Sequence, residues 1–84
     1  MESLSQVIAR NARAIRAAQQ RRQVDVAAQA GLSRSTLSLI ESGARRITIE
    51  DILALCAGLD VGLGDLLTGA DGADLRTLRL RPRS

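Results

Sequence analysis

The side chains of this 84-residue chain that could do chemistry are 12 arginines, a run of hydroxyls from Ser33 to Ser42, one cysteine and nine acids; there is no lysine and no histidine. A single Cys56 without histidine builds no zinc site and no internal disulfide. Neither a nucleophile–base pair nor a glycine-rich phosphate loop is present, and Asp71 and Asp74 stand in a turn-like linker where they read as solvated. The chain is therefore not expected to be an enzyme, and no metal or cofactor is expected. What remains is recognition. A guanidinium presents a planar fork that pairs bidentately with a phosphate or with the edge of guanine. The net charge of +3 is modest, so its distribution matters more than its sum. With no Phe, Tyr or Trp, platforms that stack single-stranded bases are excluded.

Those residues need elements to hold them. In QVDVAAQAGLSRSTLSLIESG, Val26, Ala27 and Ala30 recur at spacings of three and four, the stripe of one buried helix face. Gly31 supplies the left-handed residue that stops this helix, Leu32 turns back into the core, and Ser33 is placed to cap a second helix. Leu37 and Ile40 form the inner stripe of that second helix, which leaves Arg34, Ser35, Ser38 and Leu39 on outward or flanking faces. A small Ala27 lets the two helices approach closely. The spacing is that of a helix-turn-helix.

Before this unit, Ser3 and Gln6 form a capping box for a helix whose apolar face is Leu4, Ile8, Ala12 and Ile15, running to about Gln20. Arg10 and Arg13 fall on its wet face. Arg21 and Arg22 close it, serving either its carboxyl-end dipole or a phosphate contact. After the basic loop Ala44-Arg45-Arg46, Thr48 and Asp51 open a strongly apolar helix carrying Ile49, Ile52, Leu53, Leu55, Cys56 and Leu59, with Gly58 and Asp60 expected to end it. Cys56 reads as a small buried hydrophobe in a reducing compartment. A short last helix covers Leu63 to Leu67. The expectation is an all-α, five-helix domain over residues 1–69, followed by a basic tail over 70–84. The tail's Leu75-Arg76-Thr77-Leu78-Arg79-Leu80-Arg81 alternates in part with period two. Three readings compete for it: a disordered arm, a β-strand pairing with a second subunit, or a segment laying Leu78 and Leu80 on its own globule. No stretch is long and apolar enough for a membrane span, and the N-terminus lacks a signal-peptide run, so a cytoplasmic location is expected.

With Gln23, Ala27, Gly31, Leu37, Ile40 and Glu41-Ser42-Gly43 in place, and TIEDILALCAGLDV following, the chain resembles the lambda-repressor-like, Cro/XRE-type helix-turn-helix family over roughly Val7 to Leu67. The resemblance implies that Gln23 anchors a DNA phosphate and braces the third helix, with Arg22 beside it. It implies that Arg34, Ser35 and Ser38 read base edges in the major groove, flanked by Thr36 and Leu39, Arg34 reading a base or touching phosphate. Ser42, Gly43, Arg45 and Arg46 resemble a second phosphate clamp. Arg16 and Glu41 match positions that form a structural ion pair between the first and third helices.

The expected function is a transcriptional regulator, most simply a repressor, that binds a palindromic double-stranded operator as a homodimer. Leu63, Leu66, Leu67, Leu78 and Leu80 are candidates for the dimer contact, although Leu66 and Leu67 could equally finish the monomer core. The alternative is an antitoxin that regulates its own operon and binds a protein partner through its tail. A restriction–modification controller is a third variant, closer in kind to the first.

Overall fold

The computed structural model describes residues 3–69; the tail over 70–84, with Leu78 and Leu80, lies outside the described residues. Five helices and, among the described residues, no strand make up the fold: α1 (Leu4–Ala18), α2 (Gln23–Ala30), α3 (Arg34–Ser42), α4 (Ile49–Leu59) and α5 (Leu63–Leu67). No helix among them is long and apolar enough to cross a membrane.

The helix starts are fixed by residues three apart. The Ser3 hydroxyl accepts from the Gln6 N–H at 3.2 Å while the Gln6 side chain accepts from the Ser3 N–H at 2.8 Å. Thr48 and Asp51 exchange the same two bonds at 3.1 Å each. These boxes satisfy N–H groups that have no partner inside the helix. Ser33 accepts from the Thr36 N–H at 3.0 Å and donates to the Thr36 hydroxyl at 2.9 Å, so the expected cap of α3 is present. Gly31 and Gly43 stop α2 and α3 at φ +73° and +76°, a region a Cβ disfavours. Asp60 ends α4 at φ +55°, a conformation that short polar side chains tolerate.

One core unites these helices. Ile8, Val26, Leu37, Ile40, Ile52, Leu55, Leu59 and Leu66 are fully buried in it, with Leu4 and Ala12 alongside and Ile15 packed at its margin. Val7 and Ala9 are buried as well, so the inner face of α1 is wider than the stripe Leu4–Ile8–Ala12–Ile15.

The structure corrects three sequence expectations. First, α1 stops at Ala18, with Gln19 as its cap and Gln20 at φ +56°, so Arg21 and Arg22 lie past the helix rather than closing it. Second, Gly58 does not terminate α4 but sits inside it and is buried. It is where α2 crosses: a Cβ at Gly58 would lie 2.7 Å from the Ala30 Cβ and 2.9 Å from the Val26 carbonyl oxygen. Third, Leu66 is 0 % exposed and Leu67 half-buried, both on their own core. A side chain enclosed by its own chain presents nothing to a second one, so of the two readings of Leu66 the core one applies.

The α2–α4 pair, the most extensive in the fold, is fastened by side chains. Gln19 donates to the Leu59 carbonyl at 2.7 Å, Arg21 to Gly58 at 2.7 Å and Gln29 to Ala57 at 2.9 Å, while Arg21 also donates to the Gln29 side chain at 2.7 Å. Three successive carbonyls at the unpaired end of α4 are thus held from α2 and the turn before it.

Candidate nucleic-acid interface

The buried carboxylate of Glu41 is the joint on which α3 is set. It accepts from Arg16 Nε at 2.8 Å, from a terminal Arg16 nitrogen at 2.9 Å and from the Gln23 amide at 3.0 Å. Arg16 also donates to the Arg21 carbonyl at 3.0 Å, and Arg13 donates to the Glu41 backbone carbonyl. One side chain near the end of α3 is therefore tied to α1 and to the first residue of α2. The expected ion pair is present, and the hydrogen bond to Glu41 raises the Arg16 pKa above its ordinary value despite partial burial. The expected bracing by Gln23 has a geometry here too, since its amide spans from α2 to α3.

This joint forms the floor of an open groove lined by Arg16, Arg22, Gln23, Val24 and Arg34. The N-terminus of α2 opens beside it with no side-chain cap, so its first N–H groups are left for an anion. Arg22 is 80 % exposed and pairs with Asp25 at 3.0 Å, a surface contact worth well under ~1 kcal/mol that a phosphate could displace. A second, shallow concavity on the outward face of α3 is lined by Arg34, Ser35, Ser38 and Leu39. Arg34 belongs to both and is exposed. It has no hydrogen bond or ion pair to any described residue. Thr36, whose expected role was to flank these readers, is half-buried and engages the Ser33 cap instead of facing outward.

The second basic cluster divides. Arg45 pairs bidentately with Asp51 at 3.1 and 3.2 Å, and Asp51 is 6 % exposed. Burial pushes the Asp51 carboxyl up, but the bonds from Arg45 and Thr48 outweigh it and hold the group below its ordinary pKa. Arg45 is thus spent largely on the start of α4, whereas Arg46 is exposed. The Ser42 hydroxyl donates to the Leu39 carbonyl at 2.7 Å and accepts from the Ala44 N–H at 3.2 Å, and Gly43 turns the chain against Gln6 and Ala9.

The structure therefore gathers Arg22, Gln23 and Arg34 into one groove, places Ser35, Ser38 and Leu39 on the adjoining face, and sets Arg46 apart from them. Two residues are not legible from the sequence as lining this groove, Arg16 and Val24. The sequence assigns Arg16 only a structural partnership with Glu41, and Val24 stands 48 % exposed at a position where periodicity gives no reason for an apolar side chain. Among the described residues no cluster of His, Cys, Asp or Glu is arranged to hold a metal ion.

Comparison with known proteins agrees with this geometry. The helix-turn-helix family HTH_3 matches residues 13–66, well over half of the chain. No curated protein matches. Among solved structures, the chain is similar to a mutant form of the restriction–modification controller protein C.Esp1396I, at 25% sequence identity and a TM-score of 0.73, over 80% of this chain and 87% of that one. The chain belongs to the XRE-type helix-turn-helix family and is a DNA-binding transcriptional regulator.

Proposed function

We propose that this regulator binds a palindromic operator as a homodimer, with α3 in the major groove, and represses by occluding the promoter. Arg34 carries the reading. It is exposed, it makes no bond to any described residue, and it stands where the phosphate-type groove meets the outward face of α3. In this arrangement Gln23, Arg22 and the α2 N-terminus fix the register on one phosphate, and Arg46 with the backbone around Ser42 and Gly43 meets another. Arg34, Ser35, Ser38 and Leu39 then face base edges, the last suited to a thymine methyl. One recognition helix covers few base pairs, so two related by a twofold axis and about 34 Å apart read successive turns of the groove.

Selection of binding sites from a random duplex pool at moderate salt tests this. An inverted repeat with half-sites about one helical turn apart is the expected product. Binding without a motif, vanishing as salt rises, would reduce the contact to phosphates and defeat the reading.

The likeness to a restriction–modification controller, over most of both chains, favours control of restriction–modification genes within this same reading. The selected repeat would then lie upstream of a methyltransferase–nuclease gene pair. An antitoxin would use the same DNA surface and give its tail to a toxin. Leu78→Asp separates them, since it abolishes operator binding if the tail holds the dimer and leaves it intact if the tail serves only a partner.

A further inference from the structure

The large apolar side chains exposed among the described residues fall into two groups. Val24 and Leu39 line the two concavities of the DNA interface. Ile49, Leu53 and Leu63, 39 %, 60 % and 37 % exposed, do not. Ile49 and Leu53 stand one turn apart on α4, and Leu63 opens α5, which packs against α4. Three large apolar side chains exposed on two packed helices, away from the DNA interface, offer a surface to a partner.

Its surroundings restrict what that partner is. Between residues 47 and 69 the chain carries Glu50, Asp51, Asp60 and Asp65 and no base. Asp51 is taken by Arg45, while Glu50, Asp60 and Asp65 are exposed, Asp65 accepting from the Gly62 N–H at 3.0 Å at the start of α5. Two such edges laid directly on one another would set like charges together, which opposes association. The occupant has to bring leucines and positive charge at once. Residues 75–81 of this chain do so, with Leu75, Leu78 and Leu80 alternating with Arg76, Arg79 and Arg81.

The last described residues are fastened to α1, since Asn11 donates to the Leu66 carbonyl at 2.7 Å and to the Thr68 carbonyl at 2.9 Å, and Gly69 lies against Arg10. At about 3.3–3.6 Å per extended residue the segment 70–84 could span roughly 50 Å, against body widths of 22 and 20 Å.

We infer that the tail of each subunit seats Leu78 and Leu80 on the Ile49–Leu53–Leu63 edge of a second copy, with its arginines against Glu50, Asp60 and Asp65, so that the dimer is held by reciprocal exchange of tails. This rests on the homodimer reading above and names its surface. The exchange is isologous, as a twofold operator requires.

The 84-residue chain contains no aromatic residue, so Leu78→Trp gives a single fluorophore at the proposed contact. Its emission should be blue-shifted against the urea-unfolded chain, and dilution should remove the shift in step with dimer dissociation followed by sedimentation velocity. Leu53→Ser in this background should expose the fluorophore and raise the dimer dissociation constant about 100-fold, two leucine seats per dimer each worth roughly tenfold. Leu63→Ser should act in the same direction, and an unchanged far-UV circular dichroism spectrum shows that either variant is folded. A persisting dimer with solvent-like emission would overturn the tail seat while leaving the homodimer intact. A monomer that reads the operator as a single half-site would overturn the homodimer itself. A blue shift independent of concentration would place the tail on its own domain, and one appearing only with duplex would place it on DNA; each overturns the exchange.

Discussion

Gly58→Ala should loosen the platform that carries the recognition helix, although alanine is the better helix former. The gain in helix propensity is about 1 kcal/mol. Against it, the new methyl would lie 2.7 Å from the Ala30 Cβ, 2.9 Å from the Val26 carbonyl oxygen and 3.3 Å from the Ala30 Cα. Carbon atoms rest about 3.5–4.0 Å apart, so α2 has to withdraw from α4 by roughly 1 Å. Overpacking costs about 1–3 kcal/mol, and the upper part of that range applies because two of the three obstructing atoms belong to backbone. Withdrawal also stretches the bonds from Gln19, Arg21 and Gln29 to the carbonyls at 57–59. The net loss is about 1–2 kcal/mol, or roughly 5–15 °C in Tm for a domain of this size. Thermal unfolding followed by circular dichroism measures it. Adding Ala30→Gly removes the nearest obstruction but leaves the Val26 carbonyl, so it should restore the Tm only in part. A Gly58→Ala chain melting at or above the parent temperature would refute the reasoning, because the α2–α4 approach would then be adjustable and propensity would win.

Arg34→Ala should relax base preference at one operator position by about 1–3 kcal/mol and leave the Tm unchanged, as binding to a panel of operator variants would show. Arg46→Ala should weaken binding to all sequences and lower the salt slope by about one, measured by titration at several salt concentrations. Arg45→Ala should instead cost about 1–2 kcal/mol of stability in urea unfolding, because it strips a charge-assisted partner from buried Asp51. The depressed Asp51 pKa gives this pair a pH signature. Its contribution is full above the ordinary carboxylate value near pH 4 and lost as pH falls through the lower folded value, so acid destabilisation below about pH 4 should be shallower in Arg45→Ala. Glu41→Gln leaves Arg16 without its carboxylate. With Arg16 still 23 % exposed, a cost of about 3 kcal/mol, at the low end for a broken buried pair, is expected in the urea midpoint with an unchanged m-value.

The parts of the fold legible in the sequence are those decided within a few residues. Ser3 with Gln6, Ser33, Thr48 with Asp51, and Gly31 act on backbone no more than four positions away, so their roles follow from local chemistry. The Arg16–Glu41 pair spans 25 positions and was accessible only through resemblance. Nothing local shows that Gly58 lies under α2, or that Gln19, Arg21 and Gln29 meet the end of α4, because those relations come from the crossing of two helices. The excess of apolar residues on α4 also concealed its solvent side: Ile49 and Leu53 read as core alongside Ile52 and Leu55, and only packing separates them. In the candidate site, Arg34, Ser35, Ser38 and Leu39 stood out because periodicity turns them outward. Arg45 could not be told from Arg46, since the two adjacent arginines differ only in which of them reaches Asp51.

Helix α3 separates two tasks between its faces. Leu37, Ile40 and Glu41 supply its buried contacts, while the side chains of Arg34, Ser35, Ser38 and Leu39 are exposed and form no hydrogen bond or ion pair to any described residue. Substitutions at those four positions draw almost nothing from the small margin by which a domain of this size stays folded. A lineage could therefore pass through many operator preferences by single steps, each leaving a folded protein. Drift in the DNA address would be limited by the regulated genes and not by the stability of the regulator.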